Sequence, residues 1–418
     1  MRDRGPQAPA PGLSGRDRRV LIVGGGAAGD AAAAALREAG HRAPITLVSA
    51  EAELPYQRPP LSKEYLLGAM PRARLPLRTA GMYTDLGIEV RLGCTVGELD
   101  LNRRQALLES GEELDFELLL IATGGRARRL PGLETALHLR DVGDSDRLRE
   151  RLGPGARLEI VGAGFIGSEV ASAALRLGAA VTVHEALAHP LERVLGPEVG
   201  AWLAGVQRSR GVDLRTGVKE LPRLRGRALV AAGAVPNAEL ARRAGIVEDG
   251  GIFVDEVGRT SVEGVYAAGD VARFWSPTFA ARIHVEHFQT AARHGRAVGR
   301  AMAGAGAPFL EAPWFWSDQF GLRLEYAGAG LAWDEIAVRG ELGRPPFTVF
   351  YLRGDRLVAA FGAGDHRSVS HARRLLEAGV SPPTGSLADP ARDLRSLVGG
   401  RPGSGAGDRP GFSPSGPR

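Results

Sequence analysis

The chain has 418 residues, 44% of them apolar and 24% charged, and a formal net charge of +5. That length calls for two or three domains with sizeable cores, and the composition is that of a soluble globular protein. The arginines are scattered among acids, so no arm is dense enough for a nucleic-acid binder. A single cysteine, Cys94, excludes an intramolecular disulfide and a CxxC redox pair and fits a reducing cytoplasm. No apolar run approaches the roughly 18 residues of a membrane helix.

In chain order, residues 1–17 are rich in proline and arginine and read as a disordered leader. Val20–Val23 is a buried strand. It runs into Gly24-x-Gly26-x-x-Gly29, an alanine-rich helix ending at Gly40, and a second strand in "APITLVSAE". Glycines let the backbone approach a pyrophosphate seated on the helix N-terminus, so this βαβ unit predicts dinucleotide binding. The second strand ends at Ser49, and the nearest acid for a ribose is Glu51. "YQRPPLSKEYL" then places Lys63, one of only two lysines, five residues after Arg58. Lysine is a compact cation where arginine is a wide fork, so a tight site can require it. "IEVRLGCTV" reads as a strand with Cys94 as a small packed residue, and "FELLLIATGG" as a strand running into Thr123 and Gly124.

The unit then returns. "ARLEIVGAGFIGSEVASAALRLGAAVTVHEA" gives a strand, Gly162-x-Gly164-x-x-Gly167, a helix and a strand ending at Glu185. A carboxylate there accepts both ribose hydroxyls of NADH and repels the 2′-phosphate of NADPH. "TSVEGVYAAGDVARF" is a strand running into Gly269 and Asp270. "RLEYAGA", "FTVFYLR" and "RLVAAFGA" are strands before the helix "SVSHARRLLEAG", and "FGAGDH" is a turn. Residues 399–418 form a low-complexity tail. The nine histidines make no metal-ligand pattern. The two halves differ in one respect: 37 positions separate Gly87 from Gly124, against 22 from Gly211 to Gly233, a difference of 15. The second dinucleotide unit is therefore expected to have a truncated β-meander.

Two fingerprints followed by "IATGG" and "AAGDVA" resemble the two-dinucleotide-binding flavoprotein superfamily of the pyridine nucleotide-disulfide oxidoreductases. "LPYQRPPLSKEYL", "GAGFIGSEVA" and "PWFWSDQF" narrow the resemblance to the NADH-dependent ferredoxin and rubredoxin reductases, with apoptosis-inducing factor as a relative. It runs from about Arg18 to Leu397. It implies an α/β fold of two Rossmann-like domains, for FAD and NAD, plus a smaller α+β C-terminal domain. The FAD-binding domain would comprise 18–137 and 265–312, the NAD-binding domain 138–264, and the C-terminal domain 313–398. The implied function is an FAD enzyme taking hydride from NADH and passing single electrons to an acidic ferredoxin or rubredoxin, as the reductase of an oxygenase or cytochrome P450 system. The chain would work as a monomer or weak homodimer. The alternatives are a signalling flavoprotein like apoptosis-inducing factor and a reductase of quinones or other small acceptors.

The resemblance also assigns residues. Lys63 would stand by the flavin and pair with Glu169 in the first turn of its helix, a fixed cation favouring the reduced flavin. Trp316 would stack at the flavin and nicotinamide. FAD would be held by Gly24, Gly25, Gly26, Ala27, Ala28, Gly29, Glu51, Arg58, Val96, Thr123, Gly124, Arg140, Gly269, Asp270, Glu286, His287 and Phe288. NAD would be held by Gly162, Gly164, Phe165, Ile166, Gly167, Glu185 and Gly233. Phe288 stands where some relatives carry tryptophan.

Overall fold

A computed structural model describes residues 17–222, 224 and 228–398. The first sheet is parallel, in the order Val265–Ala267, Leu118–Ile121, Val20–Val23, Ile45–Val48, Ile88–Arg91. Apart from Thr46, its three central strands are apolar on both faces, as a parallel sheet covered on two sides requires. One face meets the helices Ala27–Glu38 and Phe288–Met302. These helices touch at the backbone: a Cβ on Gly295 or Gly299 would stand 2.2 Å from Ala28 O or 2.4 Å from Ala32 O. The other face carries Leu21, Val23 and Val48 and packs on an antiparallel meander of Val96–Asp100, Gln105–Leu108 and Glu113–Asp115 through Leu99, Ala106 and Leu108.

The chain leaves this sheet after Ile121 and rejoins it at Val265. Between lies a second parallel sheet, in the order Asp213–Arg215, Ala180–His184, Arg157–Val161, Ala228–Val230. Among the described residues no strand lies between Arg215 and Ala228. The face that a meander would cover has changed character instead. Gly24 N–H donates to Val48 O, and Gly162 N–H donates to His184 O, so Val48 and His184 are equivalent. Leu21 and Glu159 each stand three residues before the first glycine. Two apolar residues of the first sheet are thus replaced by a Glu159–His184 pair, with 2.5 Å between Oε2 and Nε2. Thr182, Asp213 and Arg215 extend the same polar face, Thr182 and Arg215 each donating to Asp213. His184 is buried, and a buried polar side chain needs a partner such as Glu159 supplies.

The C-terminal part is an antiparallel five-stranded sheet, in the order Trp314–Gln319, Leu322–Gly328, Arg356–Ala363, Arg344–Arg353, Glu335–Glu341. Helix His366–Ala378 packs on it, capped by Asp365, whose Oδ1 accepts from Ser368 N–H at 3.1 Å. "FGAGDH" is thus a turn that also starts a helix. Two strands of this sheet, Trp314–Gln319 and Glu335–Glu341, were not anticipated. The architecture is the expected one: two Rossmann-like parallel sheets and a smaller C-terminal domain.

Candidate functional site

Both glycine turns are shaped as their spacing demands. Gly24 and Gly162 have φ of +125° and +103°, and a Cβ would collide with Ala122 O at 2.1 Å and with Ala231 O at 2.6 Å. The third glycines, Gly29 and Gly167, let each helix lie on its own strand, since a Cβ there would stand 2.1 Å from Gly24 O or Gly162 O. The middle glycines differ: no atom lies within 4 Å of a Cβ built on Gly26 or Gly164. Each loop therefore opens onto free space at the N-terminus of a 12-residue helix, whose first amides lack intrahelical acceptors. That is where a pyrophosphate fits.

From the first loop a cleft of about 620 Å³ runs across the molecule. It is large enough for an extended cofactor. Its wall includes Gly24, Gly25, Gly26, Ala27, Ala28, Glu51, Arg58, Lys63, Val96, Thr123, Gly124, Arg140, Ile166, Glu169, Asp270, Glu286 and Phe288. Gly29, Gly269, His287 and Trp316 are not on this wall, nor are Gly162, Gly164, Phe165, Gly167, Glu185 and Gly233 of the second loop region. Cys94 lies on the wall, in a break after Ile88–Arg91 rather than inside a strand, with its N–H donating to Ser49 O.

Three of the charged pairs along the cleft are Arg58–Glu51, Lys63–Glu169 and Arg140–Asp270. Arg58 bonds Glu51, and Tyr56 Oη donates to Glu51 Oε2 at 2.5 Å. Burial foremost, with Glu51 adding to it, pushes the Tyr56 phenol well up, so it stays a donor. Arg58 also donates to Arg140 O at 2.6 Å, and Arg140 Nη2 bonds Asp270 at 2.8 Å. Strands Gly125–Ala127 and Ala234–Pro236 pair antiparallel, and Thr123 and Asn237 clasp their ends: Thr123 Oγ1 donates to Asn237 O at 2.8 Å, and Asn237 Nδ2 to Thr123 O at 3.0 Å.

The inner end holds the one described lysine of the cleft wall. Lys63 Nζ stands 2.7 Å from Glu169 Oε2, with the two side chains 11% and 6% exposed. Glu169 lies in the second turn of helix Phe165–Arg176, not the first. A pair this buried is tolerated only if the remaining lone pairs are satisfied. They are: Ser62 Oγ donates to Oε2, and Ser317 Oγ donates to Oε1 at 2.7 Å. Neither serine was foreseen. Ser62 is visible only as the neighbour of Lys63, and Ser317 lies on the far C-terminal sheet.

Phe315 is sandwiched between Phe165, edge-on at 4.7 Å, and the stacked His287 ring at 3.9 Å. Burial lowers His287 to about 4, so its ring is neutral near pH 7. Trp316 packs beside Trp314 at 5.4 Å and under the Arg323 guanidinium at 5.0 Å. In the second loop region, Glu185 accepts from Ala163 N–H at 2.7 Å and Leu187 N–H at 2.9 Å, which seats its carboxylate beside the glycine turn. Among the described residues, no group of three or more His, Cys, Asp or Glu could hold a metal ion, and no helix is long and apolar enough to cross a membrane.

Residues 18–221 and 225–295 match the pyridine nucleotide-disulphide oxidoreductase family, and residues 314–398 match the reductase C-terminal family. Among curated proteins, the chain is 37% identical over 402 residues to the anthranilate 1,2-dioxygenase system ferredoxin–NAD(+) reductase component of Burkholderia cepacia, covering 90% of this chain and 98% of that one. It is 34% identical over 406 residues to putidaredoxin reductase of Pseudomonas putida, covering 91% and 96%. Among solved structures, it resembles the covalent putidaredoxin reductase–putidaredoxin complex with a TM-score of 0.87 and 32% identity, over 91% of this chain and 98% of that one. The ferredoxin reductase for the CYP199A2 system from Rhodopseudomonas palustris follows with a TM-score of 0.85 and 31% identity, over 91% and 99%. The chain, with two glycine-turn sheets and an antiparallel C-terminal sheet, belongs to the pyridine nucleotide-disulphide oxidoreductase family.

Proposed function

We propose that this protein is an FAD-dependent NADH:ferredoxin reductase, the reductase component of an oxygenase or cytochrome P450 system. One observation carries the reading. A single cleft leads from an open glycine loop to a buried lysine–glutamate pair, and the glutamate sits on the helix of the second glycine loop. FAD, when bound, supplies the conversion of a hydride donor's two electrons into single-electron steps.

The chain's own residues hold and orient. Gly24–Ala28 would receive the pyrophosphate, Glu51 the adenosine ribose, and Asp270 with Arg140 the sugar-alcohol chain. Lys63 would stand at the ring system as a fixed cation held by Glu169. Glu185 would receive the NADH ribose. With only Cys94, a redox-active disulfide plays no part, and a lone free thiol suits a cytoplasmic setting. The division into an FAD domain of 18–137 and 265–312, an NAD domain of 138–264 and a C-terminal domain of 313–398 is part of the same proposal. So are the remaining cofactor contacts given above, a rubredoxin as the alternative iron–sulfur partner, and a monomer or weak dimer.

The test is NADH-driven reduction of cytochrome c with and without an added small acidic ferredoxin. The purified protein should be yellow, release FAD rather than FMN, and turn over rapidly only when ferredoxin is present. Colourless protein that takes up no FAD sinks the cofactor assignment. FAD-loaded protein that no ferredoxin or rubredoxin accelerates moves the signalling reading ahead.

A further inference from the structure

Helix Phe165–Arg176 and strand Trp314–Gln319 meet in matched steps. Phe165, Glu169 and Ser172 stand at i, i+4 and i+7, one face of a helix. They meet Phe315, Ser317 and Phe320 in turn: ring on ring at 4.7 Å, Ser317 Oγ to Glu169 Oε1 at 2.7 Å, and Phe320 N–H to Ser172 Oγ at 2.8 Å. Four helical residues rise about 6 Å and two strand residues about 6.8 Å, so the first two contacts fall in register without strain. Ser317 is fully buried, and its oxygen in turn accepts from Gln319 Nε2 at 3.0 Å. The polarity of the chain is fixed. Gln319 donates to Ser317, so the serine hydroxyl hydrogen is free to donate to the carboxylate. Lys63 approaches the other carboxylate oxygen from the cleft side.

We propose that Ser317 and Gln319 are positioning residues for the Lys63–Glu169 pair, so that the seating of the C-terminal sheet on the second glycine helix fixes where the Lys63 ammonium stands at the cleft. Glu169 then accepts from residues before the second sheet, Ser62 and Lys63, and from the C-terminal sheet, while itself belonging to the second sheet's helix. Without the Ser317 hydroxyl, Oε1 loses a charge-assisted bond and the carboxylate is free to turn, carrying the ammonium with it. This rests on the role given above to Lys63, and the experiment separates the two.

The chain has only two lysines, Lys63 and the exposed Lys219. Protein labelled with ¹³C at lysine Cε therefore gives two side-chain NMR signals, and Lys219→Arg assigns them. Ser317→Ala in the FAD-loaded protein should move the Lys63 signal and leave that of Lys219 in place. It should also slow the limiting rate of flavin reduction by NADH about tenfold or more, the scale of one hydrogen bond to a charged group, with NADH affinity and FAD content unchanged. Gln319→Met, which removes only the donor behind Ser317, should shift the same signal less in the same direction. An unmoved Lys63 signal in both variants overturns the proposal. A moved signal with an unchanged reduction rate upholds the positioning and overturns the role of Lys63 instead.

Discussion

At the scale of single residues, the cleft region is governed by what burial does to each titratable group. His287 lies against Phe315, and His294 lies beneath Gly269, whose N–H donates to its Nδ1 at 3.3 Å. Burial takes both from the ordinary 6.5 to about 4. The unfolded chain therefore binds protons between pH 6.5 and 4 that the native one refuses. Stability present above pH 6.5 is lost as pH falls toward 4, with uptake approaching two protons from these groups. Denaturant midpoints should fall from pH 7 to pH 5, and a flat profile would remove both histidines from the account. Glu185 supplies a second expectation. Its carboxylate is already anchored by two backbone amides. Preference for NADH over NADPH should be roughly 10- to 100-fold, the scale of a charged hydrogen bond. Glu185→Ala should narrow it in steady-state kinetics with both coenzymes. Equal use by the unaltered protein would contradict the assignment.

Elements show which parts of the architecture can be read from a sequence. Both glycine units, with their strands and helices, were legible because turn, period and spacing agree. Their glycines nevertheless differ in kind, which only the packing reveals. Gly29→Ala drives a Cβ into Gly24 O and should destabilise by about 1–3 kcal/mol or more. Gly26→Ala enters open space, so it should leave the fold within about 1 kcal/mol while lowering FAD affinity. Thermal unfolding of apoprotein and FAD titration separate the two, and identical behaviour would refute the distinction. Strand Trp314–Gln319 was hidden because three aromatics in succession mask its alternation. Strand Glu335–Glu341 was hidden by its charged ends. The partner of Glu169 was invisible for another reason: Ser317 lies 148 residues further along, and no local pattern carries a register set between a helix and a distant strand. The missing meander could be counted from the sequence. The Glu159–His184 pair that replaces its apolar contacts joins two neighbouring parallel strands, whose register no local pattern carries.

Across the whole molecule, the charge of +5 is spread over many committed arginines. Arg126, beside the Thr123–Gly124 turn, is tied to Asn237 and Glu239. Encounter with an acidic ferredoxin thus depends on the summed field more than on one contact. Electron delivery to ferredoxin should slow steeply as salt shortens the screening length toward 8 Å, while reduction by NADH changes little. Indifference of ferredoxin reduction to salt would exclude an electrostatic encounter. The carboxylate of Glu169 has a bearing on how such molecules can be recombined. A hybrid that borrows the C-terminal sheet of another reductase also borrows whatever stands at position 317. If that residue offers no hydroxyl, the graft can fold, bind FAD and look intact, yet leave the lysine of the recipient misaligned. Compatibility of exchanged parts in this chain therefore includes one buried oxygen as well as the area of the seam.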